Sequence, residues 1–300
     1  MIKIFRQAAI NLVLVCSIVA CQKAAPEAPP VQADPEKPAP VPVPPPAPAP
    51  PPPVPTPPAD IPETNPAIQT AVSINVNGNC GGYYKAVPAR YDSSTKRYPL
   101  IIFLHGLGEL GNGTTELVKV SRTPLAARIA SKNFPVKFTV NGQNYSFIVI
   151  SPQFKKWPSP ADVDAIINHA KQTLRIDASR IYVMGMSMGG GATWEYGAGF
   201  GAGIAAIAPI CGASTATLTR AKKIAAANLP VWAFHNIDDL TVNVGSTNKY
   251  VEDINAQNPA VRAIKTIWSS GGHDAWTKAT DPAFKENGKN VYEWMLQYKR

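Results

Sequence analysis

The chain has 300 residues, a formal charge of +9 and 45% hydrophobic residues, with 31 prolines that crowd into its first quarter. The positive charge is spread over scattered residues (Lys96, Arg97, Lys155, Lys156, Lys222, Lys223) with no aromatic-interleaved basic stripe, which argues against a nucleic-acid surface. No H-E-x-x-H or clustered Cys/His spacing suggests a metal, and no G-x-x-x-x-G-K-[ST] suggests a nucleoside triphosphate, so no cofactor is expected.

Lys3 and Arg6 precede an apolar stretch, residues 8–20, that is too short to span a bilayer and reads as a signal peptide over 1–20. It ends in Ile18-Val19-Ala20-Cys21, which resembles the lipobox of bacterial lipoproteins, with Cys21 as the lipidated residue and Cys16 the weaker candidate. With Gln22 rather than Asp after the cysteine, the resemblance points to an exported lipoprotein anchored in the outer membrane or at the cell surface. Residues 21–66 are dominated by Pro and Ala and read as an extended spacer unable to bury a core. Residues 67–300 are then one domain, in which Cys80 and Cys211 are either a disulfide or two buried thiols.

Strands are expected at 71–76, 83–90, 100–105, 147–151, 180–184, 204–210, 230–235 and 261–268. From residue 100 onward they are continuously apolar, as in a parallel sheet covered on both faces. Thr123-Pro124 opens a helix at 125–130, Val163, Ile166, Ile167, Ala170 and Leu174 form a stripe at helical spacing, and Val291, Trp294, Met295 and Tyr298 repeat it. This alternation predicts an α/β fold: a mostly parallel, doubly wound sheet with two early antiparallel strands at one edge. Residues 138–146 read as a hairpin extending a loop. Only about twenty residues lie between the strands at 204–210 and 230–235, too few for a lid domain.

Gly106, Gly108 and Gly111 spell G-x-G-x-x-G after a strand, but no acidic residue lies between Glu116 and Asp162 to hold a ribose, so a dinucleotide site is not expected. Gly185-Met186-Ser187-Met188-Gly189 fits G-x-S-x-G between a strand and a small-residue run, the context in which a strained turn displays a nucleophilic serine. A serine needs a base. Of four histidines, His105 and His169 fall in regular elements and His235 ends a strand, leaving His273 on a glycine turn as the candidate. The acid is Asp238 or Asp239, which as turn neighbours face different sides.

These stretches, from residue 83 to the C-terminus, resemble α/β-hydrolases of the esterase group that includes polyhydroxybutyrate depolymerase-like, feruloyl and acetylxylan esterase-like and dienelactone hydrolase-like proteins. The shared motifs are residues 98–111, Ser151-Pro-Gln153, Trp157, 185–190 with Trp194, 208–212, 235–244, 272–276 and 291–294. The resemblance implies Asp239 as the acid, with Asp238 still open because Asn236 replaces a glycine and Asn243 a proline of the family pattern. It further implies the Leu107 and Met188 amides as an oxyanion hole. Trp157 and Trp276 are candidate substrate contacts, while Trp194 is expected to pack. The expected function is acyl-enzyme hydrolysis of extracellular or polysaccharide-linked esters, with membrane attachment through Cys21. The alternatives are a prolyl-oligopeptidase-like serine peptidase and a non-catalytic glycan-binding lipoprotein.

Overall fold

The computed structural model describes residues 63–300; the expected signal peptide, Cys21 and nearly all of the linker lie outside the described residues. Contacts begin slightly before residue 67, because buried Glu63 accepts the Arg90 N–H at 3.1 Å.

Among the described residues ten strands form, β1 (Ile68–Val72), β2 (Cys80–Val87), β3 (Tyr98–Leu104), β4 (Phe138–Val140), β5 (Gln143–Tyr145), β6 (Ile148–Phe154), β7 (Ile176–Met186), β8 (Ala206–Ile210), β9 (Trp232–Asn236) and β10 (Ile264–Trp268). Eight of them make one sheet in the order β1-β2-β6-β3-β7-β8-β9-β10, parallel from β6 to β10 and antiparallel at β1 and β2. All eight expected strands are in it. The first is displaced from 71–76 to Ile68–Val72, where it pairs Ile68 with Val87. An outer strand with one buried neighbour shows little apolar patterning, so its bounds are set by the partner.

Seven α-helices complete the fold of the described residues: α1 (Pro124–Ala130), α2 (Pro160–Thr173), α3 (Met188–Phe200), α4 (Leu218–Ala226), α5 (Val244–Asn255), α6 (Trp276–Ala279) and α7 (Val291–Met295). Alternation along β3 divides the core in two. Leu100, Ile102 and Leu104 pack with α2, α3, α4 and α5, whereas Ile101 and Phe103 pack with α1, α6, α7 and the β4–β5 hairpin. Asn141 and Gly142 turn that hairpin with φ of 52° and 75°, and Phe138 clamps it to Phe134, Phe147 and Tyr292.

The cap expected at Thr123 does not form. Thr123 precedes α1 without capping it, since its hydroxyl donates to the Val120 carbonyl at 2.8 Å. Ser159 and Asp162 form a full capping box on α2. The disulfide alternative is corrected: Cys80 and Cys211 are both free, one in each core on opposite faces of the sheet, and so beyond bonding reach.

Parallel pairing sends the C-terminal ends of β3, β6, β7, β8, β9 and β10 to one edge. Loops carrying Leu107, Trp157, Ser187, Cys211, Asp239 and His273 all leave from that edge. Only α4 separates β8 from β9.

Candidate active site

The strand-to-helix turn at Ser187 exists because its flanks have no side chains. Ser187 has φ 52° and ψ −117°, a conformation most residues avoid. A Cβ on Gly189 would lie 2.1 Å from the Leu104 carbonyl oxygen, and one on Gly185 would lie 2.6 Å from that of Gly189. Only glycine lets α3 press against β3 closely enough to form the turn. The turn is then tied down: Ser187 N–H donates to the Ile210 carbonyl at 3.0 Å, and its own carbonyl accepts from Gly191 and Ala213 at 2.9 Å each.

Three residues distant in sequence meet here. His273 Nε2 lies 2.8 Å from Ser187 Oγ, and His273 Nδ1 lies 2.7 Å from Asp239 Oδ2. Asp239 Oδ1 accepts two further bonds, from the Thr241 and Val242 N–H groups at 2.8 and 2.9 Å. With the carboxylate only an acceptor, His273 carries its proton on Nδ1 and offers Nε2 to the serine hydroxyl. Burial pushes the Asp239 carboxyl up, but the His273 bond and the Val242 and Thr241 amides outweigh it, and its pKa lies below the ordinary value.

Asp238 faces the other way. Its oxygens accept from the Gly271 and Gly272 N–H groups at 3.2 and 2.9 Å, so it grips the loop that displays His273. Asn236 grips the same loop through Nδ2 to the Gly272 carbonyl at 2.9 Å, and Asn243 caps α5 by accepting from the Gly245 N–H at 2.7 Å. Both departures from the family pattern thus have a structural role.

His235 is a supporting residue that sequence reasoning passed over. Fully buried, it donates from Nε2 to the Val242 carbonyl at 2.9 Å, sits 3.2 Å from Asp239 Oδ2, and meets Thr247 Oγ1 through Nδ1 at 2.8 Å. Burial lowers its pKa against the opposing pull of Val242 and Asp239, so the ring is a neutral brace for the acid turn. A histidine ending a strand just before the two aspartates was its only signal in the sequence.

His105 plays no direct part at Ser187. Its Nε2 accepts the Phe154 N–H at 3.0 Å and its Nδ1 donates to the Gly106 carbonyl at 2.6 Å, which locks β3 to β6 at the site edge. Burial pushes its pKa down to about 4.

Leu107 opens a single 3-10 turn, Leu107–Glu109, and Met188 opens α3. The N–H of a first helical residue has no acceptor within its helix, so both amides are available at the serine's edge. The chain after Gly111 starts no long helix, which removes the dinucleotide reading of the glycine turn. Trp157 is exposed and its ring edge lies 3.0 Å from where a Gly191 Cβ would stand; half-buried Trp276 meets the His273 ring edge-on at 5.1 Å. Trp194 is fully buried and stacked on Tyr250 at 4.2 Å.

Cys211, Asp239 and His273 bring one possible metal-ligand atom each within 4.8 Å of one another. Asp239 and His273 are already bonded together, and burial pushes the Cys211 thiol up to about 12, so Cys211 stays a protonated thiol beside that pair.

A family model described as phospholipase/carboxylesterase matches residues 91–283. Comparison with curated protein sequences gives no match. Among solved structures, a thermostable esterase is 23% identical with a TM-score of 0.56, over 78% of this chain but only 63% of its own length. A putative dienelactone hydrolase from Klebsiella pneumoniae is 17% identical with a TM-score of 0.52, over 78% of this chain and 97% of that one. The fluorophosphonate-binding serine hydrolase F of Staphylococcus aureus is 13% identical with a TM-score of 0.54, over 77% and 99%. At these identities the structures establish a shared fold, while the family model spans most of the described domain, motif turn and histidine loop included. The chain belongs to the phospholipase/carboxylesterase family of α/β-hydrolases.

Proposed function

We propose that this protein is a serine carboxylic-ester hydrolase that works through an acyl-enzyme and acts on extracellular esters, including those attached to polysaccharides. The observation that carries the reading is the continuous path from Ser187 Oγ to His273 Nε2 at 2.8 Å and from His273 Nδ1 to Asp239 Oδ2 at 2.7 Å.

In this reading Ser187 attacks the ester carbonyl while His273 takes its proton at Nε2. Asp239 keeps Nδ1 protonated and stabilises the imidazolium that forms. The Leu107 and Met188 amides receive the oxyanion, helped by the positive end of α3. His273 then protonates the departing alcohol, and a water activated by the same nitrogen releases the acid and restores Ser187. No metal or cofactor enters the cycle.

The extracellular setting rests on the leader and lipobox pattern ending at Cys21, and the polysaccharide preference on the lidless edge with Trp157 exposed beside it. Hydrolysis of p-nitrophenyl acetate and butyrate, compared between the parent and Ser187→Ala, tests the chemistry. Labelling of the parent by a fluorophosphonate, lost with Ser187→Ala, is the expected companion result. A folded parent that neither turns over these esters nor takes the label refutes the enzyme reading. Incorporation of labelled lipid, abolished by Cys21→Ser, tests the anchor.

A further inference from the structure

Glu109 is a charged residue beside the nucleophile that the proposed mechanism does not use. It ends the turn Leu107–Glu109, on the edge where Ser187 stands. A Cβ built on Gly106 would lie 3.2 Å from Glu109 Oε2 and 3.7 Å from Ser187 Cβ, so the carboxylate oxygen lies within about 7 Å of the serine. Oε2 is sealed from solvent and has no hydrogen-bond partner.

The other acidic groups of this edge are tied up. Asp239 is bonded to His273, Asp238 holds the Gly271 and Gly272 amides, and Asp274 accepts from Thr277 N and Oγ1. Lys119, on the same connection as Glu109, is engaged by Glu116 at 2.6 Å and by the Leu110 carbonyl at 3.0 Å. Among the described residues no ion pair forms with Glu109. Burial raises its pKa, with the Gly106 and Glu109 backbone opposing. Above the carboxylate range the group therefore places at the site a negative charge with no cationic partner among the described residues, in surroundings that screen it less than water does.

We propose that Glu109 is a specificity-determining residue whose carboxylate disfavours esters bearing an anionic group near the scissile carbonyl and directs the site to neutral or cationic esters. This inference rests on the serine-esterase reading. Two like charges about 7 Å apart at an effective dielectric near 20, discounted for partial exposure, change relative rates on the order of tenfold.

The test compares neutral and anionic chromogenic esters on the full chain at pH 8: p-nitrophenyl butyrate against mono-p-nitrophenyl succinate, and p-nitrophenyl acetate against 3-carboxy-4-nitrophenyl acetate, each corrected for spontaneous hydrolysis. The parent should prefer the neutral member in kcat/KM, and Glu109→Gln should shrink that preference about tenfold in at least one pair. Raising salt from about 0.01 M to 0.5 M should shrink the parent's preference in the same direction, a readout that does not depend on the variant folding. A preference unchanged by both Glu109→Gln and salt overturns the inference, as does an equal loss on both members of each pair, which marks a packing role. Failure of the parent on the neutral esters alone overturns the serine-esterase reading first and separates the two failures.

Discussion

Replacing Asp239 by Asn tests the relay most sharply, because the structure fixes which way the amide must turn. Oδ1 of Asp239 accepts the Thr241 and Val242 N–H groups at 2.8 and 2.9 Å, and Oδ2 accepts from His273 at 2.7 Å. An asparagine has one acceptor oxygen. Two backbone donors hold it on the turn side, so the NH₂ group faces His273 and needs an acceptor there. His273 can comply only by moving its proton to Nε2, where the ring can no longer accept from Ser187. A wrong tautomer of this kind costs about 10⁴ in kcat, or about 5 kcal/mol of barrier, while substrate binding is little altered. Stopped-flow and steady-state release of p-nitrophenol from p-nitrophenyl butyrate measures it. The volume is unchanged and the turn's hydrogen bonds persist, so the thermal midpoint should move little beside the loss of turnover. Retention of more than about a tenth of the parent's kcat refutes the reasoning that Asp239 sets the tautomer.

Asp238→Asn should cost far less, within about tenfold in kcat, because its bonds are to the Gly271 and Gly272 amides and an amide oxygen keeps one of them; parallel kinetics check this. Gly189→Ala should destabilise by about 3 kcal/mol or more and remove fluorophosphonate labelling, since the new methyl meets the Leu104 and His105 carbonyl groups, which cannot yield as a side-chain tip would; a urea midpoint and a gel show both. Stability should fall by about 3 kcal/mol as pH drops from 6.5 to 4 on account of His105. Burial holds its folded pKa below 6.5, so the contribution is complete above 6.5 and is lost as the unfolded chain alone binds the proton. Urea unfolding across that range measures it, and His105→Asn should flatten the slope. Cys80 and Cys211 should resist iodoacetamide until denaturant is added, because burial raises the thiols to about 11 and about 12; peptide mass spectrometry reads the modification, and reductant should leave the melting temperature unchanged.

What could be read in the sequence follows from where the physical signal is local. The central strands are buried on every residue because both faces are covered, so β3, β6, β8 and β9 stand out as mainly apolar runs; β1 buries none of its residues and its bounds depend on pairing with β2. The turn at Ser187 is local too, a serine between glycines at a strand end. His273 was reachable by elimination among four histidines. The choice between Asp238 and Asp239 was not local, since adjacent turn residues diverge and only the His273 loop, some thirty residues on, decides which is met. Asn236 and His235 act entirely through that loop and the acid turn. Likewise, Glu109 looked like one more residue in a glycine-rich turn until the packing of Gly106 against Ser187 placed it at the site.

The glycines that let α3 approach the sheet also govern when the proposed nucleophile can come into being. Five of the thirteen residues in Met188–Phe200 are glycine, each costing an isolated helix about 1 kcal/mol relative to alanine. Such a segment has almost no helical tendency of its own and acquires its shape only once β3, β7 and β8 are in place to receive it. Refolding should therefore regain sheet packing before reactivity, with fluorophosphonate labelling lagging behind tryptophan burial, so that a partly folded chain carries no armed serine.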